Sequence, residues 1–152
     1  MKKILFLFAL FTITFSGFAQ KVKIKDGIAN VDGNAYVKWE KRMAGNEVAI
    51  SGLNATEEEV SVMYESYKDP NEITQSNPEG KVRWVEFNFL TLDLKCEISS
   101  RGHKGLVKLL YLNKVFVDGA LNVANAEKFV KKYGTKFSDN RPGNNVNIII
   151  NN

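Results

Sequence analysis

The sequence predicts an α+β fold: an antiparallel β-meander sheet of about five to seven strands, followed by a C-terminal pair of helices packing on one face. Three observations predict it. Within residues 21–40 Asp-Gly occurs twice, six residues apart, between short arms in which polar and apolar residues alternate. Residues 81–98 keep a period-2 alternation that changes phase midway. Beyond Gly105 the apolar spacing becomes that of a helix.

The elements follow in order. Val22 and Ile24 alternate with Lys21, Lys23 and Lys25, and residues 28–31 form a second arm. In the third, Ala35, Val37 and Trp39 alternate with Tyr36, Lys38 and Glu40, which predicts one buried and one wet face. Asp26-Gly27 and Asp32-Gly33 join these arms. A type I′ hairpin turn needs positive φ at both central residues, and Asp-Gly adopts it at low cost. Calcium is the competing reading of acids beside glycine. An EF-hand frame begun at Asn30 puts Ala35 where glycine is required and Lys41 where glutamate is required. A frame begun at Asp26 puts Ile28 at a ligand position. Turn chemistry therefore accounts for both glycines.

Gly45-Asn46 marks another turn, and Val48 and Ile50 share one face of a short strand over 47–51. Residues 56–67 satisfy two patterns. Thr56 with Glu59 makes a capping box, and Val60, Met63, Tyr64 and Tyr67 make a helical stripe. Val60, Val62 and Tyr64 also alternate, and the neighbouring strands favour strand. Residues 68–80 hold two of the three prolines and read as a loop. In 81–98, Val85, Phe87 and Phe89 share one phase, while Leu90, Leu92, Leu94, Cys96 and Ile98 share the other. A one-residue slip moves every side chain to the opposite face, so two strands, or one bent strand, are expected with the irregularity near Phe89-Leu90.

Leu106, Leu109 and Leu110 mark the first helix, and residues 115–119 a connector. Asn122 or Asn125 caps the second, whose stripe is Val123, Ala126, Phe129, Val130 and Tyr133. Lys131 and Lys132 in its last turn and Gly134 beyond it are stop signals. The Asn-rich tail, residues 139–152, carries Ile148 to Ile150, which add an edge strand or fray.

The N-terminus has the grammar of a secretory signal: Lys2 and Lys3, an apolar run of 12 residues, then Ser16-Gly17-Phe18-Ala19. That run falls short of the roughly 20 residues a membrane-spanning helix needs. Cleavage after Ala19 is expected, giving a signal peptide over 1–19, a single α+β domain over 20–138 and a tail over 139–152, exported to the periplasm or secreted. No transmembrane segment is expected after signal removal. The mature chain of 133 residues keeps 19 basic and 17 acidic residues, a net charge of +2. That balance lacks the strongly basic footprint of a nucleic-acid binder. The lone Cys96 excludes an intramolecular disulfide and, in phase with Leu92, Leu94 and Ile98, reads as an inert core thiol.

Chemistry-bearing patterns are few. One histidine and one cysteine do not make a zinc site, and neither a phosphate-cradling nor a dinucleotide glycine motif occurs, so no metal or cofactor is expected. The constellation of note is SSRGHKG, residues 99–105, at a strand-to-helix junction. There Arg101, His103 and Lys104 cluster before a helix N-terminus, where free backbone N–H groups favour an anion. Ser99 or Ser100 beside His103 is a Ser-His pair on paper only, because closeness in sequence sets no catalytic geometry. Tyr36, out of phase with Val37 and Trp39, is the aromatic expected on the outer sheet face. Charge is uneven as well: residues 40–79 carry nine acids and three bases, and residues 104–136 seven bases and two acids. The basic helical end thus offers a surface to an anionic partner.

The ending FAQ of the signal, the VDGNAYVKWE hairpin and the closing FVKKYGTKFS resemble small exported β-rich proteins of Gram-negative bacteria. The resemblance implies export and a β-rich fold, and it transfers no activity and no site residues. The functional expectation is an exported non-catalytic binding or interaction domain, with Arg101, His103, Lys104 and Tyr36 as binding candidates. Two alternatives stand beside it: a small periplasmic enzyme using His103 at the strand-helix junction, and a carrier of a small apolar ligand between sheet and helices.

Overall fold

The computed structural model describes residues 20–141. The expected signal peptide and the Ile148 to Ile150 strand lie outside the described residues. Seven strands run in sequence order as one antiparallel meander: β1 (Val22–Lys25), β2 (Ile28–Val31), β3 (Asn34–Arg42), β4 (Glu47–Gly52), β5 (Val60–Lys68), β6 (Lys81–Phe89) and β7 (Leu94–Ser99). Then come α1 (His103–Leu112), a hairpin of β8 (Phe116–Val117) and β9 (Ala120–Leu121), α2 (Val123–Tyr133) and the short α3 (Lys136–Asp139). The predicted α+β architecture is the one observed.

The turns explain the meander. Asp26 and Gly27 have φ of 52° and 75°, and Asp32 and Gly33 have 52° and 89°. Both are two-residue hairpin loops with positive φ at each central position. Asp118-Gly119 repeats the device with φ of 50° and 78° and turns the expected connector into the β8–β9 hairpin. The phase change in 81–98 is likewise a hairpin. Phe89 pairs with Leu94 across residues 90–93, so Phe87 faces Cys96 and both phases reach the same core. Residues 60–68 are strand, and Glu59 caps no helix: its carboxylate accepts from the Gly52 N–H at 2.7 Å.

One face of the sheet is apolar and carries the helices. Val37, Ile50, Val62, Phe87 and Cys96 are fully buried beneath Leu106 and Leu110 of α1 and Ala126 of α2. The Phe129 ring of α2 lies edge-on to Phe87 and Phe89, with centroids 5.5 and 6.2 Å away. Burial, followed by the Glu97 and Glu86 charges, pushes the Cys96 thiol up to about 12, so it stays protonated and unreactive. Val123, expected in the α2 stripe, is instead exposed beside the cap, where the Asn122 side chain accepts from Asn125 N–H.

Two expectations about β3 are corrected. The register against β2 shifts between Ala29, opposite Val37, and Asn30, opposite Ala35. Tyr36 is the extra residue of a bulge, so the simple alternation fails there. Tyr36 turns inward beside Val37, and Ala35 is left exposed.

The outer face is partly covered too. Side chains of β3 hold residues 53–59 over it, Arg42 to Glu58 at 2.6 Å and Lys38 Nζ to the Ala55 carbonyl at 2.6 Å. At the other margin the chain after α2 wraps around β7: Glu97 N–H donates to the Gly134 carbonyl at 2.7 Å. The buried Glu97 carboxylate then accepts from Phe137 N–H and Ser138 N–H at 2.7 and 3.0 Å, and the Phe137 ring stacks on Trp84, 6.1 Å away and 4° from parallel. The opposite margin, β1, shows Lys21, Lys23 and Lys25 at alternate, exposed positions.

Two measurements check this packing. A Cβ at Gly52 would collide with the Gly119 carbonyl of the β8–β9 turn. Gly52→Ala is expected to lower stability by about 1–3 kcal/mol in urea denaturation. Glu97→Ala removes the acceptor of two α3 N–H groups and is expected to speed protease cleavage within residues 135–141 while the sheet stays folded.

Candidate functional site

An open groove of ≈ 360 Å³ lies where α1 begins, over the ends of β5 and β6. Its lining includes Gly45, Asn46, Tyr64, Ser66, Lys81, Arg83, Ser100 and His103. The strand period builds one wall. Positions 81 and 83 share the face of Val85, Phe87 and Phe89, but β6 has run past the helices there, so that face carries cations instead of core. Lys81 stands opposite Lys68 and Arg83 opposite Ser66. A like-charge pair directly across two strands opposes folding. The other wall is the start of α1. Its N-cap, Gly102, supplies no side-chain cap, and the Tyr64 hydroxyl donates to the Arg101 carbonyl at 3.0 Å, which ties this junction to β5.

His103 is held by two rings. Trp39 lies 5.7 Å away at 83°, and Tyr64 lies 5.5 Å away at 57°. Its Nδ1 is buried without a hydrogen-bond partner, and its Nε2 faces Gly45, 4.0 Å from where a Cβ would stand. Partial burial holds the imidazole below its ordinary pKa, and the nearby Lys41 charge adds to that. At neutral pH the ring is therefore uncharged. Burial raises the Tyr64 phenol above its ordinary value, so it remains a donor.

The basic character of this end comes from several elements. Lys41 belongs to β3, Lys68 to β5, Lys81 and Arg83 to β6, and Arg101 and Lys104 flank the start of α1. The ion pairs among the described residues engage Lys25, Arg42 and Lys95 and none of these six. Glu65 is the one carboxylate in the lining.

The predicted residues separate accordingly. His103 lines the groove. Arg101 and Lys104 are exposed beside it, and Arg101 side-chain carbons pass 3.5 Å from where a Gly105 Cβ would be. Tyr36 is elsewhere and is not on the outer face. It packs against Tyr111 and Phe116, with centroids 5.2 and 6.1 Å away, and its hydroxyl accepts from Phe116 N–H. Tyr111 is about 12 Å along α1 from His103 at 1.5 Å per residue. Burial raises the Tyr36 phenol far above its ordinary value.

Sequence reasoning missed Lys81, Arg83 and Tyr64. For Lys81 and Arg83 the signal was the phase of β6: two cations hold the positions that later carry core side chains. Ser100 shares the groove with His103, but the unpartnered Nδ1 has no acceptor to orient the ring, as a Ser-His catalytic pair requires. On the outer face, Tyr67 and Trp84 do lie together, 5.5 Å apart, and Phe137 covers Trp84. Among the described residues no three His, Cys, Asp or Glu side chains gather as metal ligands, and no helix is long and apolar enough to cross a membrane.

The His103 environment predicts a pH effect. With its folded-state pKa lowered, the unfolded chain binds the proton more tightly. The contribution is present above about pH 6.5 and is lost as the pH falls through the folded value. In thermal melts between about pH 7.5 and 5, His103→Gln is expected to lose less stability than the parent, and parallel curves would contradict this.

Compared with known proteins, the chain matches no family model, no curated protein and no solved structure.

Proposed function

We propose that the chain is an exported, non-catalytic binding domain of the periplasm or secreted space, and that it engages an anionic partner through the basic end of the sheet–helix layer. One observation carries the reading. Lys81 and Arg83 converge on a groove flanked by Lys41, Lys68, Arg101 and Lys104, none with a carboxylate partner among the described residues. Cations placed opposite one another without counter-charge cost stability, and an incoming anion relieves that cost. The export part of the reading is supported by the N-terminal pattern of charge, apolar run and small residues. The His103 Nδ1, without the acceptor that a catalytic base needs, supports binding over catalysis.

The test uses dextran sulfate as a polyanion. Binding is expected to weaken steeply as salt rises. Lys81→Ala/Arg83→Ala is expected to reduce affinity about tenfold, whereas Lys23→Ala/Lys25→Ala on β1 leaves it nearly unchanged. Equal losses from the two double variants, or binding indifferent to salt, would refute the basic-end reading.

A further inference from the structure

We propose that the groove seats a small dianionic oxyanion, a sulfate or phosphate group, between Lys81, Arg83 and His103, and that His103 takes up one proton as the group enters. This rests on the reading of the basic end as an anion-binding surface and narrows it to one ligand chemistry. Three observations lead to it.

The first is reach. Lys81 and Arg83 are two residues apart on one face of β6, about 6.7 Å along the strand. An ammonium and a planar guanidinium fork at that spacing both address one tetrahedral group, and the fork matches two of its oxygens. The groove volume of ≈ 360 Å³ is at the small end for ligand sites.

The second is preorganisation. His103 is clamped between Trp39 and Tyr64, so little rotational freedom remains to be lost when a ligand meets its Nε2 edge. Its enclosed Nδ1 has no acceptor, which is a poor arrangement for a structural histidine.

The third is charge. Lys81 and Arg83 present two positive charges on the groove face of β6, with the neutral His103 across from them. A dianion seated against the imidazole favours its protonated form. One proton drawn from bulk water onto the ring gives a second N–H. The groups around His103 are Lys41 and Trp39 from β3, Asn46 from the β3–β4 turn, Tyr64 from β5, Lys81 and Arg83 from β6, and its neighbours Arg101 and Lys104, while Glu65 of β5 pairs with Trp84 on the outer face. Without ligand, burial and then the Lys41 charge hold the ring below its ordinary pKa. An anion beside it reverses that preference.

His103 is the sole histidine, so its imidazole NMR signals are unambiguous. They are followed against pH, with and without sodium sulfate, in the mature chain. Sulfate keeps its double charge across the range. The His103 midpoint is expected to rise by about one unit on saturation, and sulfate affinity to rise about fivefold from pH 7.5 to 5.5. His103→Gln should bind sulfate weakly with no such pH slope, and Lys81→Ala/Arg83→Ala should leave the His103 midpoint unmoved by sulfate. A second arm at pH 7.5 uses phenyl phosphate, where the same chemistry ends a larger molecule. Tighter binding than sulfate assigns the seat to such a terminus, and equal or weaker binding assigns it to the free ion. An imidazole titration indifferent to sulfate, or a pH slope surviving in His103→Gln, overturns the proposal. If dextran sulfate binds while sulfate does not, this inference falls and the wider reading stands. If neither binds, both fall.

Discussion

The contact on which the molecule depends is Phe129 of α2 set edge-on against Phe87 and Phe89 of β6. A meander has no crossover to cover its apolar face, so that cover must come from the chain beyond the last strand. Phe129 supplies the fixed point. From it α2 runs along β7, Gly134 ends the helix, and the following segment is delivered around the sheet margin to Glu97. α1 fills the remaining face over β1 and β2. Because the helices do not reach this margin of the sheet, the end of β5 and the start of β6 stand clear, and the groove exists in that uncovered strip.

Most of the fold was legible because it is written in local chemistry. Asp-Gly fixes a turn by backbone sterics alone, and a phase change in 81–98 has few solutions in a sheet with one buried face. The cap and stop residues of α2 act within one helical turn. What escaped depends on distant partners. Tyr36 reads as an outward residue unless its strand bulges, and the bulge serves a ring site built by Tyr111 and Phe116, 75 and more residues away. Glu97 reads as a surface acid, yet its partners are the N–H groups of Phe137 and Ser138. No window of sequence holds both ends of such pairs.

The site was legible only in part for the same reason. His103 stood out by its neighbours in the chain, and it does line the groove. The basic end did not stand out. Lys41 and Lys68 fall in the stretch that counts as acidic, and Lys81 and Arg83 fall between the two counted stretches. Antiparallel pairing brings strand ends together that are far apart in sequence, so charge summed along the chain does not report charge summed over a surface. Arg42, in the acidic stretch, shows the converse: Glu40 and Glu58 occupy it fully and raise its pKa.

The two margins of the sheet are closed by different means. On β7 the Gly134 carbonyl takes an outward N–H that another chain would otherwise find. On β1 the edge is short, and Lys23 and Lys25, with Lys21 just before the strand, repel a second copy laid alongside. A chain this rich in strand thereby resists stacking into fibrils, one flank by steric cover and the other by like-charge repulsion that weakens as ionic strength rises.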